Sequence, residues 1–240
     1  MSGPELRLSV SIFGSAAGDP VTHDPDDRPV PRILKLEMRP RMPHAGMSTP
    51  EFSQWAQSML LRITPDLKHT QYWHCEFCDK PAKETIYNVA AWLNPVPLMK
   101  VLSHNMCDAS VTGGSCTKAM AKLDKELAAE VGFPRSFKPT RSGLDIPLSG
   151  SCAKCNKPND IDHMKKCGAC QLTRYCSAAC QRSDWPRHKE FCKISKETEW
   201  IWGQSTPSAT SSAASSTTQS DPKPGNASFP PHPADLGDVD

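Results

Sequence analysis

Leu6, Leu8, Val10 and Ile12 alternate with Arg7, Ser9 and Ser11, which is the period of a strand with one buried face. Leu34, Leu36 and Met38 alternate with Lys35, Glu37 and Arg39 in the same way, and the two strands are candidates to pair. Residues 14–32 between them are rich in Pro and Asp and too long for a tight hairpin, so a mobile loop is expected there. The period then lengthens. Ser48 or Thr49 can cap a helix opening with Pro50 and Glu51, on which Phe52, Trp55, Met59 and Ile63 share one face. A second helix is predicted over 117–131, with Met120, Leu123, Leu127 and Val131 as its apolar face and Gly132 and Pro134 as its stop.

After the second helix the pattern fades. Residues 135–150, with Pro139 and Pro147, read as a linker, and 205–240 is a Ser, Thr, Pro and Ala stretch that cannot repay the entropy of folding. The expected organisation is a small α+β region at 1–134, the linker, a cysteine-rich unit at 151–193 and a disordered tail at 205–240.

Composition explains what must hold the small units together. Only 38% of residues are hydrophobic, so neither unit buries a large core, and domains of that size need a covalent or metal staple. Eleven cysteines supply it. No apolar run approaches the roughly 18 residues that span a bilayer. The apolar stretch in 1–18 is short, broken by Ser9 and Ser11 and preceded by Glu5 and Arg7, which argues against a signal peptide. A soluble protein of the nucleus or cytoplasm is therefore expected, where an odd number of reduced cysteines points to metal rather than to disulfides. The formal net charge of +2 treats those thiols as neutral, so it falls if they bind metal as thiolates.

Cys152 and Cys155 form one C-x2-C knuckle and Cys167 and Cys170 another. Two intervening residues let a tight turn present both sulfurs to one ion. Cys176 and Cys180 are spaced i, i+4, as are His188 and Cys192, so each pair projects from one face of a helical turn. Ser183 is a candidate cap for the last helix, with Pro186 in its first turn. Eight soft donors with no open position fit two structural zinc ions, and the mixed His188 and Cys192 pair disfavours an iron–sulfur cluster.

The complete pattern, C-x2-C-x11-C-x2-C-x5-C-x3-C-x7-H-x3-C, resembles the MYND-type zinc finger. Arg174, Tyr175, Gln181, Asp184, Trp185 and Lys189 around the ligands agree with it. The resemblance implies a cross-braced fold, in which Cys152, Cys155, Cys176 and Cys180 hold one zinc and Cys167, Cys170, His188 and Cys192 the other. It also implies a protein-interaction module that takes short proline-containing peptides, with Gln181 and Trp185 at groove positions. Trp185 reads equally well as core of a very small domain.

A third knuckle, Cys75 and Cys78, stands among Trp73, His74 and Phe77. Cys107 and Cys116 would complete a third zinc site, or His104 in place of one of them; free thiols in an apolar hairpin are the opposing reading. This half also resembles the leading segment of small fungal proteins that end in a MYND finger.

The function expected is an adaptor or regulatory protein that binds a partner peptide through its finger. Nucleic-acid binding is the alternative, because the finger is formally basic, from +6 to about +3 with both zincs counted. An enzyme is not expected. MYND fingers occur inside a group of SET-domain lysine methyltransferases, but no SET-type Asn-His-Ser-Cys stretch is present. The ligand spacing also differs from that of a RING ligase, and neither a Ser/His/Asp set nor a Gly-rich phosphate loop is apparent.

Overall fold

The computed structural model describes residues 3–24, 26–27, 29–107, 114–131, 135–137, 148–158 and 163–201. The tail expected at 205–240 and most of the linker lie outside them. Strand β1, Arg7–Gly14, pairs antiparallel with β2, Arg32–Met38, in the register Leu8↔Met38 to Gly14↔Arg32. The alternation of both strands is thus realised, with Leu8, Val10, Ile12, Leu34, Leu36 and Met38 all at most 2% exposed. The long connection is tied down at several points: the Arg32 guanidinium donates to both oxygens of Asp19 at 2.6 and 2.8 Å, the Gly18 N–H donates to Asp79, and the Lys122 ammonium of the later chain donates to Asp24 and Asp26.

Helix α1, Thr49–Lys68, starts as its sequence requires: the Ser48 hydroxyl accepts from the Glu51 N–H while the Glu51 carboxylate accepts from the Ser48 N–H. Phe52, Met59 and Ile63 are buried and Trp55 is half-buried on the predicted face. Helix α2, Ser115–Val131, begins slightly earlier than predicted and so takes Cys116 into its first turn.

Four strands were not visible in the hydrophobic pattern: β3, Glu84–Trp92; β4, Leu98–Met106; β5, Arg135–Phe137; and, after the finger, β8, Ser195–Ile201. With β1 and β2 they complete a six-stranded sheet in the order β5-β3-β4-β1-β2-β8. Only the β1–β4 pairing is parallel. The first residues of the stretch read as a linker are therefore an edge strand on β3.

Successive side chains on a strand face opposite ways, and β3 shows which layers result. Tyr87 belongs to the main core beneath α1, and its hydroxyl donates to Thr64 of that helix at 3.0 Å. Its neighbour Ile86 belongs to a second core with Phe77, Met106, Ala119, Met120 and Leu123, beneath α2. The sheet thus lies between α1 on one face and α2 on the other.

In the cysteine-rich unit, the two-residue strands β6, Lys165–Lys166, and β7, Arg174–Tyr175, pair with each other, and helix α3, Ala178–Ile194, follows. Here the structure corrects a local reading. The cap is Ser177, whose hydroxyl accepts from the Cys180 N–H at 3.2 Å, so Ser183 and Pro186 lie inside one continuous helix. Pro186 only removes a bond to the carbonyl of Arg182, an exposed residue.

This unit does not pack alone. Leu172 and Phe191 are buried in the main core with α1, and β8 pairs with β2 directly after α3 ends. The core and the sheet therefore run across the stretch that the sequence reads as a boundary.

Candidate metal centres

Three quartets of metal-ligating atoms form, each with its four atoms within 4.8 Å of one another. The first is Cys152, Cys155, Cys176 and Cys180; the second is Cys167, Cys170, His188 and Cys192; the third is Cys75, Cys78, Cys107 and Cys116. The finger's four pairs interleave between the first two quartets. Zinc–sulfur bonds of about 2.3 Å put tetrahedral sulfurs about 3.8 Å apart. The observed separations match that edge: Cys155 to Cys176 is 3.7 Å, Cys176 to Cys180 is 3.5 Å and Cys167 to Cys192 is 4.0 Å. The His188 Nε2 stands 3.7 Å from the Cys170 sulfur. All eleven cysteines are unbridged and all fall in a quartet. Thiolates with one imidazole, at a count of four, select zinc.

Local structure brings the ligands together. In the first knuckle the Asn156 N–H donates to the Cys152 carbonyl, with Asn156 in the left-handed region (φ 58°) that asparagine tolerates. The second knuckle repeats the turn, Gln171 (φ 57°) donating to the Cys167 carbonyl. Helix α3 carries Cys180, His188 and Cys192, so one rigid element reaches both centres of the finger.

The residue that sequence reasoning missed is Asp66 of α1, fully buried and 122 positions from the ligand it serves. Its Oδ1 accepts from the His188 Nδ1 at 2.7 Å and from the Thr173 hydroxyl at 3.1 Å. The Arg187 guanidinium grips both Asp66 oxygens at 2.5 and 3.1 Å and reaches Asp184, which in turn accepts from the Tyr175 hydroxyl at 2.9 Å. A carboxylate on the far nitrogen fixes the tautomer and orientation of a metal-binding imidazole and makes it a better donor. The pKa of His188 reflects this. Burial opposes its protonation, yet the Asp66 hydrogen bond, with Cys167 and Cys170, outweighs burial and raises it to about 12. Burial together with the charges of Asp66 and Asp184 likewise raises Tyr175, which stays a neutral donor.

His104, the alternative ligand for the third quartet, is engaged elsewhere. Its Nδ1 lies 2.7 Å from the Glu76 carboxylate and its ring stacks on Phe13 at 5.1 Å. Gln181 and Trp185 stand one turn apart on α3, Gln181 8% exposed and Trp185 half-buried with its ring 5.9 Å from that of His188. A cleft of about 1280 Å³ between α1 and the β3–β4 connection is lined by Phe52, Leu60, Val89, Trp92 and others, none titratable. Among the described residues no helix is long and apolar enough to cross a membrane.

Comparison with known proteins agrees with this geometry. Residues 152–192 match the family model of the MYND finger, so the chain carries a MYND-type zinc finger there. It is 39% identical over 90 residues to "SET domain and MYND-type zinc finger protein 6" of Schizosaccharomyces pombe, covering 30% of this chain and 18% of that protein. It is 45% identical over 42 residues to "Histone-lysine N-methyltransferase ASHR1" of Arabidopsis thaliana, covering 18% of this chain and 8% of that one. With "Deformed epidermal autoregulatory factor 1" of Drosophila melanogaster it shares 29% identity over 80 residues, 33% of this chain and 13% of that protein. The chain thus spans less than a fifth of the length of these relatives, and the methyltransferase matches it in the finger region. No solved structure matches significantly.

Proposed function

We propose that the chain is a zinc-built adaptor or regulatory protein whose finger recruits a partner through a short proline-containing peptide. In this reading Cys152, Cys155, Cys176 and Cys180 hold one zinc and Cys167, Cys170, His188 and Cys192 hold a second. The observation that carries it is the closure of both centres: each quartet supplies four protein ligands, leaving no position for a substrate or an activated water. Such zincs shape a surface. Gln181 and Trp185, one turn apart on the helix that both zincs anchor, form part of the peptide site, where an aromatic face suits the flat ring of proline. The protein acts by binding and not by catalysis, in the nucleus or cytoplasm.

A nucleic-acid role fits less well, because the basic count of the finger overstates its free charge. Arg174 is buried, donating to the Thr70 carbonyl and to Gln71, and Arg187 is committed to Asp66 and Asp184.

The test is binding of proline-containing peptides to the full chain, measured by calorimetry, for wild type, Trp185→Ala and Cys176→Ala. The expected result is loss of binding in both, with Trp185→Ala keeping its zinc and Cys176→Ala releasing one. Undiminished peptide binding by a zinc-loaded Trp185→Ala protein would remove the groove, and binding by Cys176→Ala would remove the finger as the receptor.

A further inference from the structure

We infer that Cys75, Cys78, Cys107 and Cys116 hold a third, structural zinc, outside the region that the MYND model covers, and that it anchors helix α2 to the sheet. The four residues come from three separate segments: the knuckle after α1, the position following β4, and the first turn of α2. Their sulfurs nonetheless converge. Cys78 lies 3.6 Å from Cys107, and Cys107 lies 3.8 Å from Cys116. A disulfide needs about 2.0 Å, whereas the edge of a zinc–thiolate tetrahedron is about 3.8 Å.

The knuckle shares one backbone bond with the first knuckle of the finger, where the Cys152 N–H donates to the Lys157 carbonyl at 3.3 Å. The Cys75 N–H donates to the Lys80 carbonyl at 2.8 Å, closing the turn, and the Cys75 carbonyl accepts from the Ser15 hydroxyl at 2.9 Å. Cys75 is fully buried and Cys116 nearly so, while Cys78 and Cys107 are partly exposed, leaving an ion a way in. With His104 held by Glu76, the four sulfurs form a complete set.

Two features of α2 say what the ion does. Its apolar contact with the sheet is narrow, made by Cys116, Ala119, Met120 and Leu123, with Leu127 partly buried beside them, against Phe77, Ile86 and Met106. A core this small holds a helix poorly without a staple. The first turn of α2 also carries no acidic residue to complement the positive end of the helix dipole. A zinc with four thiolates has a net charge of about 2− and would sit at Cys116, in that turn. One ion thus joins the β3–β4 hairpin to α2 and supplies the missing charge.

The experiment is a zinc count on the full chain by native mass spectrometry, with alkylation of the thiols before and after chelation. Wild type is expected to carry three zincs, with Cys75, Cys78, Cys107 and Cys116 shielded from alkylation until zinc is removed. Cys78→Ser and Cys116→Ser should each carry two, with the finger thiols still shielded and peptide binding intact, which separates this site from the finger. Two zincs in wild type with the Cys75 quartet freely alkylated, a mass deficit of a disulfide, or the colour of an iron–sulfur cluster would each overturn the inference. Because shielding is read on wild type, a variant that fails to fold leaves the test decisive.

Discussion

Replacing Asp66 by alanine tests whether the finger depends on a residue far outside it. The carboxylate is fully buried and has three partners: His188, Thr173 and Arg187. Removing it leaves the Arg187 charge without one of its two carboxylates and the His188 Nδ1–H without an acceptor. Breaking a buried pair costs about 3–5 kcal/mol. The Arg187 side chain keeps 27% exposure and its contact with Asp184, so water and Asp184 recover part of this, and about 2–3 kcal/mol is expected. Loss of the carboxylate behind a metal-bound imidazole lowers metal affinity by roughly tenfold to a hundredfold. Urea unfolding of the zinc-loaded chain measures the first quantity, and competition with a chromophoric zinc chelator the second. Asp66→Asn, which keeps an acceptor for the ring but not the charge, should fall between the variant and wild type in both. An Asp66→Ala protein with the wild-type urea midpoint, giving up its zinc at the wild-type chelator concentration, would show that the finger does not depend on Asp66.

Two further outcomes follow from groups outside the metal centres. His69, 2% exposed at the end of α1, has its pKa lowered to about 3 by burial and by the charges of Lys68 and Arg187. Below pH 6.5 the unfolded chain therefore binds a proton that the folded chain refuses, so stability falls as pH falls; the loss between pH 7 and pH 5.5 is roughly 1 kcal/mol. His69→Gln should lose that part of the slope between pH 7.5 and 5.5 in parallel urea titrations, and an unchanged slope would contradict it. Gly150 sits at φ 79°, and a Cβ there would meet the Tyr72 backbone at 2.7 Å. Gly150→Ala should cost roughly 1–3 kcal/mol and lower the melting temperature, while an unaltered melt would contradict that contact.

What the sequence disclosed was chemistry fixed by local spacing. The finger's eight candidate ligands occupy 41 positions whose turns and helical intervals are set within each pair, and Cys75 with Cys78 stood out for the same reason. Strands β1 and β2 were legible because each buries one face and alternates cleanly. β4 was not. Its second half, Ser103, His104, Asn105 and Met106, is buried throughout, so no polar face marks the period. β8 fails in the opposite way: as an exposed edge strand it reads as Ser, Lys, Glu and Thr before Trp200, and only pairing with β2 makes it a strand. Asp66 was hidden by distance along the chain. On α1 it looks like one more polar residue, and its meaning comes from α3 packing against that helix. The same packing turned a finger expected to stand alone into one that shares its core with the sheet domain.

The most direct test of the central claim, that zinc builds the binding surface, is a chelator titration of the full chain that follows zinc release and peptide binding in one experiment. Binding is expected to disappear in step with loss of the finger's zinc and to return when zinc is restored. Peptide binding that persists after all the zinc has been removed would contradict the account.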